Sequence, residues 1–494
     1  MDPFFGRGSE LARLETALAR AEQGRGSLVI VTGEAGIGKS RLARELEARS
    51  DERNVAVAWG RCWEAGGAPA FWPWTQVFRA LGREPFETLH DTPDSSQRFV
   101  LFDAATRALA DAARETPRLV FLDDLHVADV PSLLLLLFVA RELGGMGVLV
   151  VGSARDAHPT DPETGALLAK IRREAEVLSL PRLTRDEVAA WAVSRSTLAA
   201  ERLYGVSEGI PLFVEELLRV GLDKGAFQGA LGSVIDEHFA CLSPRARLVL
   251  EAASVLGREF GFDALRTAFG FHADDLARHT NEAVVAGVLV PHERNAYVFS
   301  HALLRDRLYE SLPPTRRAEL HWQAGSAMTD TAARAHHLLE GSAAGDRHVA
   351  AEAAFLAATT ALAQLAYEEA IVLSKRARGA ASPGSALECQ LELVRAEALM
   401  LAGNAEEGRA LSRHAAALAQ ALDSPEFLAR AALVYATDFI AAAIDGVMVD
   451  LLEAALARLP AEPSALRVRV VARLAAALTP PESSEEAARV VELS

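Results

Sequence analysis

The sequence predicts a multidomain fold, α/β in its first half and all-α in its second. Three observations carry this. Over the first 225 residues, apolar β-prone segments (Leu28–Val31, Val55–Trp59, Leu119–Leu122, Val148–Val151 and Val177–Leu180) recur between helical patterns. Such alternation is the mark of a parallel sheet covered by helices on both faces. Three helical stretches and a short hairpin follow, and from Thr331 the chain is rich in Ala and Leu at helical spacing. The expected divisions are a sheet domain over 1–160, a helical subdomain over 161–234, a winged-helix-like unit over 235–325 and a tetratricopeptide-like α-solenoid over 326–494, cut short.

The first strand feeds a complete G-x-x-x-x-G-K-S loop: Gly33, Glu34, Ala35, Gly36, Ile37, Gly38, Lys39 and Ser40. Arg41 to Leu46 continue it as a helix. Strand, loop and helix together are the context that separates a phosphate loop from a chance Gly-rich turn. Its glycines let backbone N–H groups curl around a phosphate, and the helix N-terminus adds partial positive charge. Lys39 is expected to reach the β- and γ-phosphates, and the Ser40 hydroxyl to ligate Mg²⁺. The chain is therefore expected to bind ATP or ADP along Gly33–Arg41, in a P-loop NTPase fold.

Residues Arg118 to Asp124 form an apolar strand whose carboxyl end delivers two acids beside the phosphates. Asp123 is expected in the Mg²⁺ shell, and Asp124 to orient the attacking water. Arg155 follows the next strand, where a guanidinium can sense the γ-phosphate; an ordinary loop arginine is the competing reading. Thr184 and Glu187 have the spacing of a capping box that opens a helix. Gly209-Ile210-Pro211 breaks one helix and begins the next, and a first-turn role explains Pro211 by itself.

Half of the 494 residues are apolar and 24% are charged, a globular composition sufficient for about three or four domains. The net charge of −16 argues against the whole chain lying on nucleic acid or an anionic membrane. Cys62, Cys241 and Cys389 are far apart and odd in number, so neither a disulfide framework nor a metal-ligand spacing is expected. The start has no basic n-region or long apolar run, and Leu133–Ala140 is too short to span a bilayer. The expectation is a soluble cytoplasmic protein.

Ser243-Pro244 opens the helix Arg245–Leu256 with an N-cap and a first-turn proline. Helical patterns over Phe262–Ala268 and Ala273–Ala286 precede strands at Val288–Val290 and Tyr297–Phe299. Units of this kind often read DNA. Here the third helix carries Asp274, Asp275 and Glu282 against Arg278 alone, a balance that repels phosphate. No direct nucleic-acid contact is expected. In the second half, the segments beginning at Tyr367 and Ala405 align at a 38-residue offset, near the period of tetratricopeptide helix pairs. Val447–Leu459 is expected to begin another repeat, and Pro480-Pro481 interrupts the tail. Ligand binding on a concave surface and plain scaffolding both remain open.

Several motifs in order resemble one family: Gly6-Arg7, the Gly33–Ser40 loop, Gly60-Arg61-Cys62-Trp63, Ala70–Trp74, Leu122–Asp129, Gly209–Leu217 and Phe299–Asp306. The first 330 residues or so are similar to the STAND-type signal-transduction ATPases, in particular the core of large LuxR-type bacterial regulators. The resemblance implies a switch, closed with ADP and self-associating with ATP and an inducer, either a small molecule or a protein on the solenoid. It implies that Gly6 and Arg7 lie near the adenine, that Pro211 packs on the nucleotide and that His301 approaches the phosphates. His301 could equally cap a helix or sit in a core, and His126 is expected to hold the loop after Asp124. Asp124 stands where related remodelling ATPases usually carry Glu, so slow hydrolysis is expected. The rival readings are a remodelling or origin-recognition-like ATPase, a regulatory partner of a cyclase or kinase, and a protein that uses ATP only structurally.

Overall fold

The computed structural model describes residues 4–63, 67–86, 95–155, 162–195, 200–220, 239, 242–292, 295–437 and 445–478. The chain forms two compact units, Met1–Thr88 with Val100–Ala327, and Leu89–Phe99 with Met328–Ser494.

The first unit is built on a five-stranded parallel sheet. Its strands are β1 (Ser27–Thr32), β2 (Ala56–Arg61), β3 (Arg118–Asp123), β4 (Val148–Ala154) and β5 (Glu176–Ser179). They lie in the order β2-β3-β4-β1-β5. Helical crossovers make the parallel pairing possible. These are α1 (Gly8–Glu22) before β1, then α2 (Lys39–Asp51), α3 (Trp72–Ala80), α4 (Ser95–Glu115), α5 (Val130–Glu142) and α6 (Pro162–Glu174) between successive strands. All seven residues of β4 are buried, as are five of six in β1 and in β3, which is why these strands read as continuous apolar runs. Leu11, Leu14 and Leu18 of α1 and Leu42 and Leu46 of α2 pack on Val29, Val31, Phe121 and Val151. Because β4 is inserted between β3 and β1, the carboxyl end of β4 lies directly between the phosphate loop and Asp123. That is the crevice where open α/β sheets bind ligands.

A helical subdomain follows: α7 (Arg185–Arg195), α8 (Ala200–Ser207) and α9 (Pro211–Val220), around Leu183, Val188, Leu203, Val214 and Leu217. Glu187 N–H donates to Thr184 Oγ1 at 3.3 Å, and Glu187 Oε2 accepts from Thr184 N–H at 2.7 Å, a reciprocal cap. Gly209 sits at φ +76°, and a Cβ there would lie 2.2 Å from the Leu183 carbonyl oxygen. Only glycine lets the segment entering α9 approach Leu183 this closely.

The next elements are α10 (Pro244–Leu256), β6 (Glu259–Gly261), α11 (Phe262–Phe269), α12 (Ala273–Val285), β7 (Leu289–His292) and β8 (Ala296–Phe299). The strands form an antiparallel sheet in the order β6-β8-β7. The hairpin was legible in the sequence; β6, three residues long, is too short to show an alternating pattern. Ser243 caps α10 by accepting from Ala246 N–H at 3.1 Å. Glu282 of α12 accepts from Ser243 N–H at 2.6 Å and from its hydroxyl at 2.8 Å, so this acid is engaged with α10. Two further helices, α13 (Ala302–Ser311) and α14 (Pro314–Ala327), complete the unit.

The second unit is helical: α15 (Thr331–Glu340), α16 (Arg347–Ala363), α17 (Tyr367–Arg378), α18 (Ala386–Leu401), α19 (Ala405–Ala421), α20 (Pro425–Tyr435), α21 (Gly446–Arg458) and α22 (Ala465–Ala477). Neighbours in sequence pack on one another, giving a solenoid. The 38-residue repeat is structural. Leu365 and Gly403 both have positive φ, at 59° and 89°, in the turns before α17 and α19. Ser374 and Ser412 are both buried and donate to the carbonyl four residues back, at 2.6 and 2.9 Å. Ala370 and Gly408 hold the small-residue position, where a Cβ on Gly408 would lie 2.7 Å from Met400 Sδ. The Pro480–Ser494 tail and Cys241 lie outside the described residues; Cys62 and Cys389 are buried and free. Among the described residues, no helix is long and apolar enough to cross a membrane.

Candidate functional site

A cleft of about 640 Å³ opens at the carboxyl end of the parallel sheet, within the range of about 300–1,000 Å³ usual for small-molecule sites. Its floor is the phosphate loop. Gly33, Gly36 and Gly38 have φ of +153°, +76° and +100°, the conformations that fold the loop around an anion. Lys39 Nζ donates to the Gly33 carbonyl at 2.8 Å and to the Glu34 carbonyl at 3.0 Å, so the ammonium is held over the loop. The loop is also tied to α9: Leu212 N–H donates to the Gly36 carbonyl at 3.2 Å, and a Cβ on Gly36 would lie 2.9 Å from Leu212 Cβ.

At the end of β3, Asp123 is buried and Ser40 Oγ lies 3.1 Å from its Oδ2. Ser153 of β4 donates to Asp123 Oδ1 and accepts from Asp124 N–H at 2.9 Å. The backbone then turns sharply, with Asp124 in the left-handed region at φ 61°. The Asp124 carboxylate lies 4.0 Å from Arg258 Nη1 and 3.9 Å from His126 Nδ1. His126 is nine-tenths buried, and burial, reinforced by the charges of Arg155 and Lys39, pushes its pKa down to about 4. It is neutral at physiological pH. Ser40 and Asp123 are two hard oxygen donors at one point, and among the described residues no cluster of three or more His, Cys, Asp or Glu side chains forms a protein-only metal cage. That donor set fits Mg²⁺, which takes one or two protein oxygens and completes its shell with phosphate oxygens and water.

The lining is cationic. Seven Arg or Lys side chains face four carboxylates, in a chain whose net charge is −16. Arg44 is held below the usual arginine range by burial and by the neighbouring charges of Arg61 and Arg258. An enclosed positive field of this kind concentrates polyanions. In another part of the lining Phe5 stacks on Trp191 at 5.7 Å, beside Arg7, Leu183 and Pro211, which presents flat apolar surface suited to a base.

The residues read from the sequence converge here to a large extent. Arg7, Ala35, Gly36, Ile37, Gly38, Lys39, Ser40, Arg41, Asp123, Asp124, Arg155, Pro211 and His301 all line the cleft. Arg7 is buried and donates to the carbonyls of Ile37 at 3.3 Å and Pro181 at 2.6 Å, so it fastens the N-terminal segment to the loop. Gly6, Gly33 and Glu34 are not in the lining. Gly6 abuts Leu183 and Glu187, and the Glu34 carboxylate bonds Arg182 at 3.0 and 2.8 Å. Pro211 is the first residue of α9, and His301 is the N-cap residue of α13 without a side-chain cap bond. Sequence reading passed over Ser153, Trp191, Arg44 and Arg258. For Ser153 a signal existed: it is a polar residue closing an otherwise apolar strand. For Arg44 the signal was its place four residues after Ser40 on the same helix face; Trp191 and Arg258 are brought in only by tertiary packing.

Residues 3–151 match the AAA ATPase domain family. An uncharacterised protein of Rhizobium meliloti is 25% identical over 410 residues, 68% of this chain; the match spans 39% of that protein's length. Among solved structures, the signal transduction ATPase with numerous domains (STAND) with a tetratricopeptide repeat sensor from Pyrococcus horikoshii superposes at a TM-score of 0.50 and 13% identity, over 100% of this chain and 77% of its own. The Aeropyrum pernix ORC2 protein, 16% identical over 63% of this chain and 93% of its own, reaches 0.32, too low to bear on function.

Proposed function

We propose that this chain, which matches the AAA ATPase domain family over residues 3–151 and shares the fold of a STAND ATPase, is a slowly hydrolysing regulatory switch, inactive with ADP and active with ATP. One observation supports this above the others. The phosphate loop, the helical subdomain through Pro211 and Leu212, and the winged-helix-like unit through Arg258 and His301 all line one cleft. A ligand that gains or loses a terminal phosphate there bears on three substructures at once.

In this reading Lys39 and the N-terminus of α2 hold the β- and γ-phosphates. The Phe5–Trp191 pair and Pro211 receive the adenine, with Gly6 and Arg7 fixing the segment that carries Phe5. Asp124 orients a water for attack on the γ-phosphorus; the bond from that phosphorus to the bridging oxygen breaks, and ADP and phosphate leave. Mg²⁺ held by Ser40 and Asp123 would neutralise charge on the phosphate oxygens. Arg155 closes the γ-phosphate side. Asp124 has a shorter reach than Glu, which favours slow turnover.

The output is transcriptional regulation in a bacterium, with an inducer on the solenoid, self-association in the ATP state and a cytoplasmic location. Direct DNA contact by this chain is disfavoured: α12 exposes Asp274, Asp275 is partly exposed, and Arg278 is paired with Asp275. The test is to identify the nucleotide in gently purified protein and measure steady-state turnover. Retained ADP with turnover well below one per second, against an enzyme median of about ten per second, agrees with the switch. Nucleotide-free protein with brisk turnover would replace it with a remodelling ATPase.

A further inference from the structure

We propose that Arg258, supplied in cis by the winged-helix-like unit, binds the terminal phosphate of a nucleoside triphosphate and so distinguishes it from a diphosphate. This rests on the nucleotide-switch reading above and names the residue that reads the switch.

The backbone fixes Arg258 rigidly. Its carbonyl accepts from Phe299 N–H at 2.9 Å, and the next residue, Glu259, opens β6 opposite Val298 of β8. His301 leaves the same β8 two residues after Phe299, so one strand pairing delivers both side chains to the cleft. Glu259 anchors the turn to the end of β2: its carboxylate lies 3.5 Å from Arg61 Nη1 and 3.6 Å from His292 Nε2. A side chain on such a support differs from one on a long loop, because its position is set by the sheet.

The guanidinium has donors to spare. Its ion-pair contact is Asp124 Oδ2 at 4.0 Å, the outer limit for such a pair, and its Nε has no hydrogen-bond partner among the described residues. The side chain is 33% exposed, and it lines the cleft. A planar group with five N–H donors and one loose anion can take two phosphate oxygens side by side, a geometry lysine cannot match. Arg44 and Arg61 crowd the same wall, and like charges so placed are best reconciled by an anion among them. Location selects the terminal phosphate. Asp124 directly follows β3 and lines the same cleft as Lys39, so a cation on Asp124 stands at the γ-phosphate end of a nucleotide laid along the loop. With a triphosphate, Arg258 exchanges Asp124 for the γ-phosphate. With a diphosphate it stays on Asp124.

The experiment is equilibrium binding of fluorescent ADP and of a non-hydrolysable ATP analogue, each with Mg²⁺, to the full chain and to R258Q and R258K. R258Q is expected to weaken the analogue about tenfold or more, the loss of a charge-assisted contact, while ADP affinity stays within about threefold. R258K is expected to fall between, since an ammonium restores charge without the fork. A wild-type chain that binds both nucleotides, with the same analogue-to-ADP ratio in R258Q, overturns the role of Arg258 and leaves the nucleotide site standing. A wild-type chain that binds neither overturns both readings. If R258Q loses its cooperative melt, R258K decides: a ratio unchanged from wild type overturns the proposal.

Discussion

His126 couples the cleft to pH. Burial and the charges of Arg155 and Lys39 hold its pKa near 4, below the ordinary value of 6.5. The unfolded chain therefore takes up a proton that the folded chain refuses. The resulting stability is complete above about pH 6.5 and is lost as pH falls towards 4, by at most about 3 kcal/mol. His126→Gln is expected to flatten that part of the stability–pH curve, read by urea melts between pH 7 and 4; an unchanged slope would mean the imidazole is solvated. Two other residues carry the chemistry directly. Lys39→Ala removes the cation held over the loop carbonyls and is expected to weaken ATP and ADP by at least about a hundredfold in calorimetric titration; normal affinity would refute the loop assignment. Asp124→Asn keeps shape and removes charge, so ATP should stay bound while single-turnover hydrolysis stops. Unchanged hydrolysis would remove Asp124 from the mechanism.

Among the elements, α9 is the most exposed to a single methyl group. Its approach depends on Gly209, where φ is +76° and a Cβ would meet the Leu183 carbonyl at 2.2 Å. Gly209→Ala combines left-handed strain with a backbone clash and is expected to cost about 2–4 kcal/mol. Limited proteolysis should show the helical subdomain loosening, and nucleotide affinity should fall with it because Leu212 is bonded to the loop. Protection equal to wild type would mean the segment shifts at little cost. The same element shows what a sequence reveals. The phosphate loop, the Thr184–Glu187 cap, the Ser243 cap and the 38-residue repeat are written in neighbouring residues or in a period, so local chemistry suffices to find them. Strand order, β6, the Phe5–Trp191 stack and the meeting of Arg258 with Asp124 are settled by contacts between distant segments. Nothing in Gly257-Arg258-Glu259 alone says that it faces a phosphate site. Conversely, Gly6 and Glu34 belong to motifs that mark the site, yet their side positions serve Leu183, Glu187 and Arg182.

For the whole molecule, charge and cores divide the labour. An acidic chain encloses a cationic cleft, so a polyphosphate is drawn to one place while the rest of the surface repels it. The two compact units have separate hydrophobic cores, one of α1, α2 and the parallel sheet, the other of the solenoid helices around Leu428, Tyr435 and Leu452. Chains with separate cores need not melt in one transition. A ligand that binds only the native first unit stabilises that unit alone, by about 2.7 kcal/mol at a free concentration a hundred times its Kd. Differential scanning calorimetry with Mg²⁺ and ADP is therefore expected to raise one transition and leave the solenoid's in place, and to raise neither in Lys39→Ala. If both transitions rise together in the wild type, nucleotide occupancy is energetically linked to the solenoid, and an inducer bound there must, by reciprocity, change nucleotide affinity by the same factor.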